Sequence, residues 1–348
     1  MNRIVFFLQG RLVPAARFRG HAIARCLAER GYDVQLRVPN PSVYGDVPGL
    51  GSIACRIPGL RPLLSVGALF CRLAQLRHLR RDDFVFFQRP MVELPTAYLE
   101  SVAAKGRRSL IDFDDAIYLN RGTKRKLSRI FDVVDWIVTG NQTLAEYVNR
   151  PSRTRIIPTS VDTSLWTAQA TRPIADGEVV VGWTGLSGNY GHLAAASEAI
   201  ARALAETGAR FLIISDAPPP RALAALNPEY VPWSPNDEVA QLSRIDIGVM
   251  PLADTAYARG KCAFKLIQYM ALGRPALASP VGANAEVVRD GVDGFLPRND
   301  DEWTERLVSL IRDPGLRSRV GERARARVTE AYSLDAVVPR YLDLIKAS

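Results

Sequence analysis

The chain of 348 residues is 47% hydrophobic and 23% charged, a balance that excludes a disordered or fibrous polymer and supplies two cores of ordinary size. Its four cysteines, Cys26, Cys55, Cys71 and Cys262, stand singly among apolar neighbours, which excludes a disulfide framework and a zinc ligand set by spacing and points to a reducing cytoplasm. The net charge of +9 is uneven, with 26 Lys or Arg against 14 Asp or Glu in residues 1–172 and 19 against 22 in residues 173–348.

"RIVFFLQG" opens the chain as an apolar strand ending in glycine, and its apolar run is too short for a signal peptide. A helical run from about Arg19 to Arg30 follows, closed by Gly31 before a second strand, "DVQLRV". The segment "RPLLSVGALFCRLAQLRHLRR" (61–81) carries Leu69, Leu73, Leu76 and Leu79 along one side and Arg72, Arg77, Arg80 and Arg81 elsewhere. With the basic cluster "RGTKRKLSR" (121–129) it has the pattern of a helix that meets anionic lipid headgroups. A surface helix with a solvated basic face is the competing reading. No aromatic series interleaves these charges, so nucleic acid is not an expected partner. No segment reaches the ~18 apolar residues of a membrane span. The chain is therefore expected in the cytoplasm, peripheral to the inner face of a membrane where it meets one.

Further short apolar segments, "DFVFFQ" (83–88), "RSLIDFDDA" (108–116), "WIVTGN" (136–141) and "TRIIPTSVD" (154–162), are spaced by helical runs. Periodicity lapses over 163–178, where proline and glycine appear. "EVVVGWTG" (178–185) then repeats the opening plan, with a helix from His192 to Glu206 and the strand "RFLIIS". "YVPW" (230–233), "DIGVMPL" (246–252), "PALASP" and "GFLP" complete the second half. Strand, glycine turn, helix, strand is the unit of a parallel sheet. The pattern predicts an α/β protein of two doubly wound domains facing each other across a cleft, over residues 1–170 and 171–330, with a last helix in 331–348. Ligands of such sheets bind beyond the carboxyl ends of the strands.

In "GKCAFKLIQYMALGRPALASP" (260–280), Leu266, Ile267, Met270 and Ala271 recur at helical spacing up to Gly273. Lys261 and Lys265 fall at the helix start, where the macrodipole disfavours cations by tenths of a kcal/mol. A bound phosphate would remove that conflict, and lysine stems turned to solvent are the alternative.

Residues 244–296, "RIDIGVMPLADTAYARGKCAFKLIQYMALGRPALASPVGANAEVVRDGVDGFL", resemble the motif block of the retaining GT-B glycosyltransferases called group 1, or glycosyltransferase family 4. The shared pattern is a helix ending in "MA-x-G-x-P-V-V-A-S" followed by "E-x-V-x-D-G-x-x-G". Weaker likenesses lie in "IDFDDAI", "TGNQTLAEYV", "IIPTSVD" and "VGWTG". The resemblance implies a nucleotide diphosphate sugar bound by the second domain as co-substrate, a saccharide or lipid-linked acceptor bound by the first, and retention of configuration. It also implies no metal or other cofactor, and a last helix in 331–348 that crosses back to the first domain; the basic first domain suggests a lipid-linked acceptor and a place in cell-envelope polysaccharide or glycolipid synthesis.

Residue by residue, the resemblance puts Gly260 where the family has a first Glu that contacts the transferred sugar, and Gln268 where a second Glu grips ribose. After "VVVG" many relatives carry an Arg and a Lys for the diphosphate, whereas this chain reads "WTGLSGNYGH". Lys265, Lys261 and Arg259 are expected to supply that charge, near Gly185 and Phe264. Trp233 is expected to stack on the base, Arg17 and Arg19 to reach the diphosphate and sugar, and Glu286 to lie near the donor helix. Asp114 takes the place of a family His near the reacting sugar. Asp112, Asp114 and Asp115 also look like the Asp-x-Asp metal pair of the other major glycosyltransferase fold, and helix capping is their plain structural role. The expected catalytic set is Asp114, Lys265 and Arg19. Two further classes stay open, a nucleotide-sugar epimerase of the same fold and a non-catalytic glycan- or nucleotide-binding subunit.

Overall fold

The computed structural model describes residues 3–40, 42, 60–167 and 178–347. Cys55 and most of the stretch read as a boundary at 163–178 lie outside the described residues. The chain divides into two compact units, Met1–Thr159 with Val337–Ser348, and Ser160–Ala336.

In the first unit β1 (Ile4–Phe7), α1 (Pro14–Ala16), α2 (Ala22–Glu29), β2 (Val34–Arg37), α3 (Leu60–Leu76), β3 (Phe84–Gln88) and α4 (Tyr98–Ala104) follow in order. Then come β4 (Ser109–Phe113), α5 (Thr123–Val133), β5 (Trp136–Thr139), α6 (Gln142–Val148) and β6 (Thr154–Ile156). The strands form one parallel sheet in the order β2-β1-β3-β4-β5-β6. Its connections turn back at β1 and β3, which makes that pair the switch point where parallel sheets open a crevice.

Both faces of β1 and β3 are buried, which is why they read as unbroken apolar runs. Phe6 stacks on Phe86 at 4.3 Å between ring centroids, and Phe7 on Phe87 at 5.9 Å on the opposite face. Between β1 and α2 the chain makes a π turn over Arg17–His21, so the expected helix starts earlier than Arg19 and is widened there.

Arg72 corrects a second expectation. It lies four residues from Ala68 and eight from Leu64, both buried, and is itself 0% exposed. Its guanidinium donates to the carbonyls of Leu8, Arg37 (2.8 Å) and Met91 (3.2 Å) and to Gln75 Oε1 (2.9 Å). Burial, with oxygen dipoles in place of a bonded carboxylate, brings its pKa down to about 10.

The second unit runs through β7 (Val180–Thr184), α7 (Tyr190–Ala194), α8 (Ser197–Thr207), β8 (Arg210–Ser215), β9 (Glu229–Pro232), α9 (Glu238–Leu242) and β10 (Ile247–Met250). It continues with α10 (Ala256–Arg259), α11 (Phe264–Ala271), β11 (Ala276–Ala278), α12 (Asn284–Val287), α13 (Asp300–Arg312) and α14 (Pro314–Ala331). Its parallel sheet has the order β11-β10-β7-β8-β9, with the switch point between β7 and β10. Trp183, Leu193, Ile200, Ile213, Ile247 and Trp303 belong to its core. The expected helix from His192 to Glu206 is two helices, broken at Ala195–Ala196, and "GFLP" contributes two isolated bridges, Phe295 to Leu277 and Gly294 to Asp290.

The last helix, α15 (Leu334–Ala347), starts in the second unit and ends in the first. Tyr341 lies beside Phe86, at 5.6 Å between ring centroids.

Candidate active site

At the switch point of the second sheet the chain leaves β7 through Gly185. A Cβ there would meet Lys265 Cε at 2.6 Å and the Trp183 ring at 2.8 Å. Glycine thus lets the Lys265 stem lie against the backbone, with Nζ 5.4 Å from the centroid of the buried Trp183 ring. Lys261 donates to Asn189 Oδ1 at 3.1 Å and lies 5.1 Å from the Tyr257 ring centroid. Both lysines are half-buried and flank the start of α11, as the sequence predicts.

His192, expected only as the start of a helix and found in α7, joins them. The backbone N–H of Ala253, just past β10, donates to His192 Nδ1 at 3.3 Å. Nδ1 is then the acceptor, and the neutral ring carries its proton on Nε2. Burial first, then Lys261 and Lys265, lower its pKa below the ordinary histidine value. Two cations and a neutral N–H donor so converge beside the strand ends, which is a polar setting for an anion.

Ala263, ahead of α11, has φ of 52°, a left-handed conformation that costs a non-glycine residue about 1 kcal/mol or more and collects at functional sites. Phe264 begins the helix, half-buried. α11 lies close on its strand because Gly248 has no side chain, a Cβ there coming within 2.3 Å of the Tyr269 ring. Gly260 is the buried cap of α10 and presents no side chain.

Arg259 is an exposed partner of Asp254, with bonds of 2.6 and 2.8 Å, so its charge is met locally rather than spent beside Lys265. The spacing of 254 and 259 across the α10 turn produces that pair. Glu286 is exposed in α12, where its carbonyl accepts from the Tyr332 hydroxyl at 3.4 Å.

Gln268 is buried and donates through Nε2 to Glu238 Oε1 at 3.2 Å, and Trp233 Nε1 donates to the same oxygen at 3.2 Å. Glu238 therefore brings a buried carboxylate to the position where Gln268 has only an amide. Sequence reasoning missed it. The one signal was an acid in the first turn after "VPWSP", which ordinary dipole complementarity already explains.

In the first unit the three aspartates of "DFDDA" part company. Asp112 is fully buried and takes two bonds from Arg19, at 2.7 and 2.8 Å, and one from the Tyr341 hydroxyl at 2.6 Å. Arg19 is 1% exposed and donates also to Ile157 O (2.9 Å) and Thr159 Oγ1 (3.2 Å). The expectation of a catalytic Arg19 is thereby corrected: its guanidinium is used inside the fold, tying the π turn to β4, the end of β6 and α15. Arg17, half-buried at the start of the turn, lies 4.9 Å from the Phe18 ring centroid.

Asp114 and Asp115 turn the other way, to Arg89. Arg89 Nε donates to Asp114 Oδ1 at 3.0 Å, and Nη2 contacts Asp114 Oδ1 and Asp115 Oδ2, each at 2.5 Å. Arg89 directly follows β3 with φ of 63°, a strained backbone beside the switch point of the first sheet. Among the described residues no group of three His, Cys, Asp or Glu is arranged to hold a metal ion.

Residues 178–313 match the family Glycosyl transferases group 1. The N-acetyl-alpha-D-glucosaminyl L-malate synthase of Bacillus anthracis is 25% identical to this chain over 152 residues, 41% of this chain and 39% of that protein. The curated relatives are matched over less than two fifths of their own lengths. The solved sucrose-phosphate synthase of Thermosynechococcus elongatus covers 100% of both chains with a TM-score of 0.70 at 16% identity. Anabaena HepE in complex with UDP and glucose also covers 100% of both, with a TM-score of 0.68 at 13% identity. This likeness is one of fold, and the fold is GT-B, α/β with two doubly wound sheets.

Proposed function

We propose that this chain, whose residues 178–313 match the family Glycosyl transferases group 1, is a hexosyltransferase that moves a sugar from a nucleotide diphosphate sugar to a saccharide or lipid-linked saccharide. It works with retention and without a metal, on the cytoplasmic side of a membrane, in envelope polysaccharide or glycolipid synthesis. One observation carries this reading: Lys261, Lys265 and His192 gather beside Gly185 at the switch point of the second sheet.

Transfer breaks the bond from the sugar to its diphosphate, and negative charge grows on the departing oxygen. Lysines fixed beside that oxygen, with the His192 N–H, stabilise it at no cost in reorganisation. On the same face the acceptor oxygen bonds to the sugar and its proton passes to the leaving phosphate, which conserves configuration without a carboxylate nucleophile. Glu238 accepts from the ribose hydroxyls in place of the carboxylate absent at 268, and Trp233 stacks on the base. The Arg89–Asp114–Asp115 fork in the first unit meets acceptor hydroxyls.

A second reading, a nucleotide-binding subunit without turnover, draws on Gly260, which offers no side chain to the transferred sugar. A thermal-shift series with UDP, GDP, dTDP, CMP and ADP, with and without EDTA, tests nucleotide binding. One nucleotide is expected to raise the midpoint by several degrees at saturation, equally with the chelator. UDP comes first because HepE binds it. Absence of any shift rejects the nucleotide site, whereas a shift without hydrolysis or transfer of the matching sugar nucleotide selects the second reading.

A further inference from the structure

We infer that the outward face of α3 is a lipid-contacting surface that seats the first unit on an anionic bilayer. Leu64, Ala68 and Arg72 mark the inward side of the helix. At 100° per residue, Leu63, Val66 and Phe70 fall on the opposite side. They are 66%, 45% and 67% exposed, an apolar stripe of the kind soluble surfaces avoid.

Charge chooses the occupant. The α3 helix has no acidic residue in its 17. The neighbouring α4 adds Tyr98 and Val102, both exposed, and its one acid, Glu100, is buried against Lys126 at 3.2 Å. Arg107, just past α4, donates to Arg80 O at 2.7 Å, which gathers Arg77, Arg80, Arg81, Lys105 and Arg107 beyond the carboxyl end of α3, with exposed Asp82 in the turn, while exposed Glu93 is an acid near Ser65 and Ala68 in its amino-terminal half. On the far side of α4, the α5 helix exposes Lys124, Arg125 and Arg129. Two copies of so cationic a face repel one another, whereas a bilayer interface accepts apolar side chains below the headgroups and cations among anionic ones.

Position gives the surface its use. Arg72 binds carbonyls at the carboxyl ends of β1 and β2 and just past β3. The helix runs from there toward the amino end of β3, so the turns preceding Arg72, with the stripe on them, stand beyond the carboxyl ends of the sheet. Ligands of a parallel sheet enter on that side. A lipid-borne acceptor would therefore arrive beside the membrane surface that carries it, a consequence that rests on the glycosyltransferase reading, whereas the surface itself does not.

The test is co-sedimentation of the full chain with phosphatidylcholine vesicles, with and without about 30% phosphatidylglycerol. The wild-type chain is expected to pellet with the anionic vesicles only. The double variant Leu63→Ser/Phe70→Ser is expected to lose at least about tenfold in partitioning with an unchanged thermal midpoint, since both residues are already exposed. A wild type that stays in the supernatant overturns the proposal, as does a double variant that pellets equally. So does light scattering that shows a dimer which the double variant dissolves. A nucleotide shift that fails while vesicle binding holds removes the enzymatic reading and leaves the surface standing.

Discussion

Lys265 lies along a glycine backbone and over an indole ring, which holds its ammonium in place before any ligand arrives. Such a charge acts mainly in the transition state, where the departing phosphate gains charge, so Lys265→Ala is expected to lower turnover more than about tenfold, or about 1.4 kcal/mol. Steady-state rates on a folded variant check this, and an unchanged kcat sinks the role. His192 makes a second prediction through pH. Its folded-state pKa lies below the ordinary value of about 6.5, so an unliganded chain binds fewer protons there than an unfolded one, and stability falls as pH drops through that value. A bound diphosphate places negative charge beside the ring and raises its pKa again, so binding takes up a proton. Nucleotide affinity is expected to strengthen from pH 8 to pH 6 relative to His192→Gln in matched titrations. Parallel slopes for the two proteins would falsify the link.

The element scale is governed by α15. Its Tyr341 hydroxyl donates to Asp112 and accepts from Arg19 at 3.2 Å, inside a network with almost no exposed surface. Tyr341→Phe leaves both partners one hydrogen bond short, at a cost of about 1–3 kcal/mol. Asp112→Asn leaves the Arg19 charge buried without its counter-ion and is expected to cost more, about 3–5 kcal/mol. Chemical denaturation of the two variants gives that ordering, and a milder effect for Asp112→Asn would contradict it. The helix itself was legible, since its bounds follow from apolar periodicity. Its partner was not. Arg19 and Asp112 lie 93 residues apart, and nothing local distinguishes a buried arginine from a ligand-binding one. Arg72 misled for the same reason: the leucine row at 69, 73 and 76 is only half-buried, and the arginine turns inward because three strand-end carbonyls need a donor. The strands were plain because both-face burial writes itself as "VFF" twice. Glu238 stayed hidden because its meaning depends on Gln268, brought to it only by packing.

Across the whole molecule, each unit has its own sheet and its own buried aromatic or aliphatic core. The repeated strand, glycine turn and helix made this duplication readable from sequence, and α15, which starts in one unit and ends in the other, stands outside the repeat. Ligand and mutation should then act on different parts of the unfolding curve. A nucleotide held by Lys261, Lys265 and Glu238 stabilises only the unit that contains them, by mass action, while Tyr341→Phe weakens only the unit that contains Asp112. Scanning calorimetry is expected to show two transitions, one rising with the nucleotide and the other falling by several degrees in the variant. Applied together, the two changes should move the transitions apart by the sum of their separate effects, because sites without shared partners add. A single transition that answers to both would mean that α15 couples the cores into one cooperative unit, and the independence argued from their separate packing would be lost.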